Sequence, residues 1–107
     1  MTAPSSELPA RVAASVEAVG EFCARWRLLR LSLFGSVLRA DFDADSDIDV
    51  LIERSDDTPR GFGERLAMTE ELAQIFGRPV DLVYASGLIN PYRRREILRT
   101  ARTVYAA

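Results

Sequence analysis

The alternation Asp47-Ile48-Asp49-Val50, running on into Leu51-Ile52, most restricts what this chain can become. Successive strand residues point to opposite faces, so residues two apart share a face. Asp47–Glu53 therefore reads as a well-buried strand, with Ile48 and Val50 turned into a core and Asp47 and Asp49 projecting side by side. Neighbouring carboxylates repel each other unless a cation offsets their charge. A hard divalent ion such as Mg2+ suits them, because it takes one or two carboxylates together with phosphate oxygens. Gly35-Ser36 stand before Asp47 with ten residues between, closing the strand-like run Leu31 to Phe34. Gly35 allows backbone conformations and close approaches that a side chain blocks. The amides of such a turn can form an anion-binding concavity, to which Ser36 would add a hydroxyl. Taken alone, Gly-Ser is an ordinary strand-ending turn; its distance from the acidic strand gives it meaning.

Composition narrows the chemistry further. With 107 residues, 48% hydrophobic and 28% charged, the chain is sized for one core. We expect a flexible tail over residues 1–8 and a single domain over 9–107. There is no histidine, and all fourteen basic residues are arginine. Histidine-based acid–base catalysis, Ser-His-Asp triads, Schiff-base lysines and lysine-bearing phosphate loops are thereby excluded. Any catalysis rests on carboxylates, arginines, hydroxyls and a metal. Net charge is −2, which gives no overall attraction to nucleic acid, so direct nucleic-acid binding is not expected. No apolar run approaches the ~18 residues of a membrane span, and residues 1–7 lack the pattern of a secretory signal. Cys23, the sole cysteine, reads as a buried thiol in a reducing cytoplasm.

Periodicity places the elements. Val12, Val16, Val19 and Cys23, with Phe22 beside them, predict a helix over about 9–25. Leu29, Leu31 and Leu33 alternate with Arg30 and Ser32 as a first strand. Val37 to Ala40 read as a helical turn and Asp41 to Asp45 as a polar loop. A helix follows Pro59, with Phe62, Leu66, Leu72, Ile75 and Phe76 as its core face and Gly77 as its stop. Pro79 to Tyr84 form a third strand. Asn90 caps and Pro91 opens a last helix to about Ala101, with Tyr92, Ile97 and Leu98 as apolar contacts. Val104-Tyr105 adds a short extended piece. The order predicts an α+β fold, a small mixed sheet backed by helices on one side.

Asp81 interrupts the otherwise apolar third strand. If that strand neighbours the second, Asp81 joins Asp47 and Asp49 in a two-ion site on a triphosphate, where it can orient or deprotonate an attacking hydroxyl. The alternative is a strand-edge residue paired with Arg78. Asp41, Asp43, Asp45, Asp47 and Asp49 invite a calcium-loop reading, but neither register supplies the Gly and Glu that the loop requires. Arg39 lies close enough to Gly35-Ser36 to meet a phosphate or brace the acidic loop. Arg93, Arg94, Arg95 and Arg99 make a basic patch, either a solvated helix face or a contact for triphosphate, RNA or an acidic partner.

Together, Leu33-Phe34-Gly35-Ser36, Ser46-Asp47-Ile48-Asp49-Val50-Leu51-Ile52 and Val80-Asp81-Leu82-Val83 resemble the minimal nucleotidyltransferases of the DNA polymerase beta superfamily. The likeness spans the first strand to the last helix; Ala40 departs from it, standing where the family commonly has Gly. The resemblance implies a polymerase-beta-like nucleotidyltransferase fold and transfer of AMP from Mg-ATP to a hydroxyl, with release of pyrophosphate. It implies that Asp47, Asp49 and Asp81 are catalytic and hold two Mg2+ ions, and that Gly35, Ser36 and Arg39 bind the nucleotide. It further implies an antitoxin beside a HEPN-type ribonuclease toxin whose tyrosine is adenylylated. The competing expectations are a non-catalytic antitoxin that occludes its toxin, and a stand-alone transferase acting on a small molecule or RNA end.

Overall fold

Ile48, Val50 and Ile52 are fully buried while Asp47 is exposed and Asp49 half-buried, so the expected alternation holds through the acidic strand. In the computed structural model, which describes residues 10–35, 47–61 and 63–107, the elements are α1 (Ala10–Ala13), α2 (Val16–Trp26), β1 (Leu28–Phe34), β2 (Ile48–Arg54), α3 (Glu64–Phe76), β3 (Val80–Tyr84), a 3-10 turn (Ala85–Gly87), α4 (Pro91–Thr100) and β4 (Arg102–Ala106). The expected tail and the turn and loop over 37–45 lie outside the described residues.

The strands form one mixed sheet in the order β3-β2-β1-β4. β1 is antiparallel to β2 and β4, and β3 is parallel to β2. The parallel pair is joined through α3, as such a crossover requires. The main core lies on one face, where Val19, Phe22 and Cys23 of α2 and Met68 and Leu72 of α3 meet Leu31, Leu33, Val50 and Ile52. Burial pushes the Cys23 thiol up to about 12, consistent with an inert core residue. A smaller cluster of Phe34, Leu51, Leu88 and Ile97 occupies the opposite face. The helices are thus not confined to one side: α2 and α3 back the sheet, and α4 lays Ile97 on the face that bears the acidic residues.

Several local expectations are corrected. The helix over 9–25 is two helices, divided where the Ser15 amide donates to the Val12 carbonyl at 2.9 Å in a tight turn. In β1 the inward residue is Leu28 rather than Leu29, which is 48% exposed. A register shift between Leu28 and Arg30 inserts an extra residue and reverses the alternation there. The α3 core stripe is Met68, Leu72, Ile75 and Phe76, spaced four, seven and eight from its start; Leu66 lies off it and is 62% exposed. Phe62 lies outside the described residues. On α4, Ile97 is buried, whereas Tyr92 and Leu98 face solvent. The terminal signals hold as read. Gly77 closes α3 in a left-handed conformation (φ 71°), and Asn90 accepts from the Tyr92 and Arg93 amides at 2.9 and 3.1 Å, with Pro91 opening the helix.

Candidate active site

Three backbone facts assemble the site. First, β2 and β3 run parallel with Asp49 opposite Asp81, Ile48 opposite Val80 and Val50 opposite Leu82. Residues opposite each other share a face, and neighbouring strands lie about 4.8 Å apart, so Asp49 and Asp81 stand side by side. The Ile48 amide donates to the Pro79 carbonyl at 3.0 Å and fixes this register at the acidic end. Second, Asp47 precedes the strand by one residue and continues the same alternation, about 7 Å from Asp49 along the chain direction. Third, Phe34 is opposite Asp49 in the antiparallel pair, which brings Gly35, the residue after it, against the Asp49 side chain.

Gly35 adopts φ +77°, a left-handed conformation that favours glycine. A Cβ there would overlap Asp49 Oδ2 and stand 3.2 Å from its Cγ. Glycine is thus needed twice, for the turn and for the approach of the carboxylate. The Asp49 contact was not legible in sequence, because it depends on the β1–β2 register; the signal available was Phe34-Gly35 ending one strand and Asp49 early in the next.

Asp81 is exposed on edge strand β3, so its carboxylate carries little of the desolvation cost that a buried group would. Arg65 of α3 donates to the Leu82 carbonyl, tying that strand to the helix. Beneath the carboxylates, Phe34, Leu51, Leu88 and Ile97 form an apolar floor, extended by Val83 and Ala101. Phe34 and Leu88 belong to this floor, a role that periodicity along the chain does not assign them. Ser36 and Arg39 lie outside the described residues. Arg93, Arg94, Arg95 and Arg99 are exposed on α4, and Arg99 pairs with Glu96 at 2.8 Å.

Among the described residues, no three His, Cys, Asp or Glu side chains are gathered closely enough to enclose an ion. Mg2+ does not need such a cage, since it keeps several waters and is held by one or two carboxylates and substrate phosphates. All-oxygen donors on one face, two of them on adjacent strands and one against a cradle that a Cβ would fill, fit that ion in chemistry. No helix among the described residues is long and apolar enough to cross a membrane.

A family model of the nucleotidyltransferase domain matches residues 16–104. A candidate protein adenylyltransferase of Methanocaldococcus jannaschii is 33% identical over 73 residues, 68% of this chain and 73% of that protein. Among solved structures, a candidate minimal nucleotidyltransferase superposes with a TM-score of 0.71 at 34% identity, over 85% of this chain and 90% of the other. A chain from the complex of a tri-AMPylated Shewanella oneidensis HEPN toxin with its MNT antitoxin shares the fold, with a TM-score of 0.64 at 18% identity over 88% of this chain and 71% of that one. The strand register, the glycine cradle and these likenesses converge: the chain belongs to the nucleotidyltransferase domain family, in its minimal, MNT-type form.

Proposed function

We propose that this chain is a Mg2+-dependent protein adenylyltransferase that moves AMP from ATP to a tyrosine of a HEPN-type ribonuclease toxin, and so acts as that toxin's antitoxin in the cytoplasm. The observation that carries this reading is the pairing of Asp49 with Asp81 on one sheet face, beside a left-handed glycine under the Asp49 carboxylate. The adenylyltransferase relative and the fold shared with the toxin–antitoxin complex support the substrate and the partner.

In this reading the tyrosine oxygen attacks the α-phosphorus of ATP. A bond forms between them as the bond from that phosphorus to the bridging oxygen breaks, and pyrophosphate leaves with the electron pair. Asp81, nearest the acceptor, takes the hydroxyl proton. Asp47 and Asp49, with Asp81, would hold the Mg2+ ions. Mg2+, when bound, neutralises developing charge on the phosphates and lowers the pKa of the acceptor hydroxyl. Gly35 and Ser36 grip the distal phosphates, and Arg39 meets a further phosphate oxygen.

The test is to mix the chain with its HEPN partner, Mg2+ and ATP, and to record the intact mass of both proteins, with Asp47→Asn as control. One or more AMP units on the partner, absent with the variant, supports the transferase. A stable complex that carries no AMP and still silences the ribonuclease replaces it with occlusion.

A further inference from the structure

At the far end of β2 from the carboxylates, Glu53, Arg54, Arg60, Ala85 and Ser86 line a concavity of about 250 Å3. Arg54 is five residues beyond Asp49 on the strand, about 17 Å away at 3.3 Å per residue. Its guanidinium lies 3.9 Å from the centroid of the Tyr84 ring and donates to Ser86 Oγ at 3.3 Å. Stacking and hydrogen bond together fix the orientation of the fork. Arg60 is tethered by a 2.9 Å hydrogen bond to the Ser55 carbonyl. Among the described residues Glu53 is the one carboxylate of the lining, and Arg30 pairs with it at 3.3 Å, so its charge is already offset. Among the described residues neither Arg54 nor Arg60 takes a carboxylate partner.

Each guanidinium has five N–H donors, far more than these two bonds consume. Two such groups on one polar concavity match a ligand with several anionic oxygens in a compact cluster. A concavity of about 250 Å3 has ample room for a phosphate group. We propose that this concavity binds a phosphate group, supplied as the free ion or as the 5′-phosphate of a nucleotide, at a site separate from the carboxylates. The two arginines bind it together, and the Ser86 hydroxyl adds a neutral donor. This assignment does not depend on AMP transfer.

The experiment is an NMR titration of the 15N-labelled chain in chelator without Mg2+, so that no cation draws phosphate to the acidic end. Sodium phosphate and AMP are added separately, with ionic strength held by sodium chloride. Saturable shifts of the Ala85 and Ser86 amides are expected with both, weakened about tenfold or more in Arg60→Gln. Equal affinity for the two identifies the free ion as sufficient; tighter binding of AMP identifies the nucleotide as the source. Arg60 is exposed, so its substitution leaves the fold intact, as an unchanged Tm would verify; the Arg54→Gln variant, which also disturbs Tyr84, is secondary. Absent shifts, shifts reproduced by chloride alone, or shifts unaltered in Arg60→Gln overturn the proposal.

Discussion

Replacing Gly35 by alanine separates two demands on one position. The first is the backbone: φ +77° places the new Cβ against its following carbonyl, at a cost of about 1–2 kcal/mol for a left-handed L-residue. The second is space, because the Cβ overlaps Asp49 Oδ2 and must drive that carboxylate from its rotamer, at about 0.5–1.5 kcal/mol. The sum is about 1.5–3.5 kcal/mol, and each kcal/mol lowers the melting temperature of a domain this size by about 4–8 °C. The assay is equilibrium urea unfolding of wild type, Gly35→Ala, Asp49→Ala and the double variant in chelator. With Asp49 truncated the overlap vanishes and the backbone cost remains. The alanine should therefore cost about 0.5–1.5 kcal/mol less in the Asp49→Ala background. Additivity within about 0.4 kcal/mol would refute the close approach of glycine and carboxylate. A Gly35→Ala protein as stable as wild type would refute the backbone argument as well.

Asp81→Asn removes an exposed charge opposite Asp49; stability in chelator should stay within about 0.5 kcal/mol of wild type, while AMP transfer falls by about 100-fold or more, measured by intact mass over time. Arg27 holds φ 59° at the end of α2, and its carbonyl accepts from Ser55 Oγ at 2.6 Å and Thr58 Oγ1 at 2.8 Å. Arg27→Gly keeps both backbone bonds and relieves the left-handed strain, so urea unfolding should show about 1 kcal/mol of added stability. Glu71 accepts from Arg25 and, at 3.1 Å, from Trp26 Nε1; the Arg25 hydrogen bond foremost holds its carboxyl below the usual range. A depressed carboxyl stabilises the fold above its unfolded pKa of about 4.3, and that contribution is lost as pH falls through the lower folded value. The pair is largely solvated, so the loss should stay below about 1 kcal/mol. Glu71→Gln should flatten this part of the acid limb, and an unchanged slope between pH 5 and 3 would count against the linkage.

The parts of the fold written in local chemistry were legible. Gly77 and Asn90-Pro91 mark helix ends through conformational and capping preferences that need no distant partner. Asp47 to Val50 announce their faces through alternation alone. What escaped was set by packing between distant segments. Leu29 and Leu28 are equivalent in the sequence, and only the shifted pairing with β2 decides which turns inward. Met68 displaced Leu66 because the stripe is defined by the sheet it meets, not by the helix itself. Tyr92 and Leu98 carry the same apolar signal as Ile97, yet α4 touches the sheet chiefly through Ile97. The adjacency of β2 and β3 is a condition the sequence leaves open, since a parallel neighbour reached through a helix leaves no turn signature. The pairing of Asp49 with Asp81 is the part of the candidate site that hung on that condition.

β3 has consequences for how the site fails. It is five residues long, lies at the edge of the described sheet, and among the described residues is hydrogen-bonded as a strand only to β2. Edge segments with few supports open at lower free energy than the centre of a sheet. Fraying of β3 would carry Asp81 away while Ile48, Val50 and Ile52 stay in the main core. Competence would then be governed by the local melting of one short strand rather than by the global transition. On warming, the carboxylate pair should come apart reversibly before the helices do, an interval narrowed by the burial of Leu82 in the main core and by the Arg65 hydrogen bond to its carbonyl.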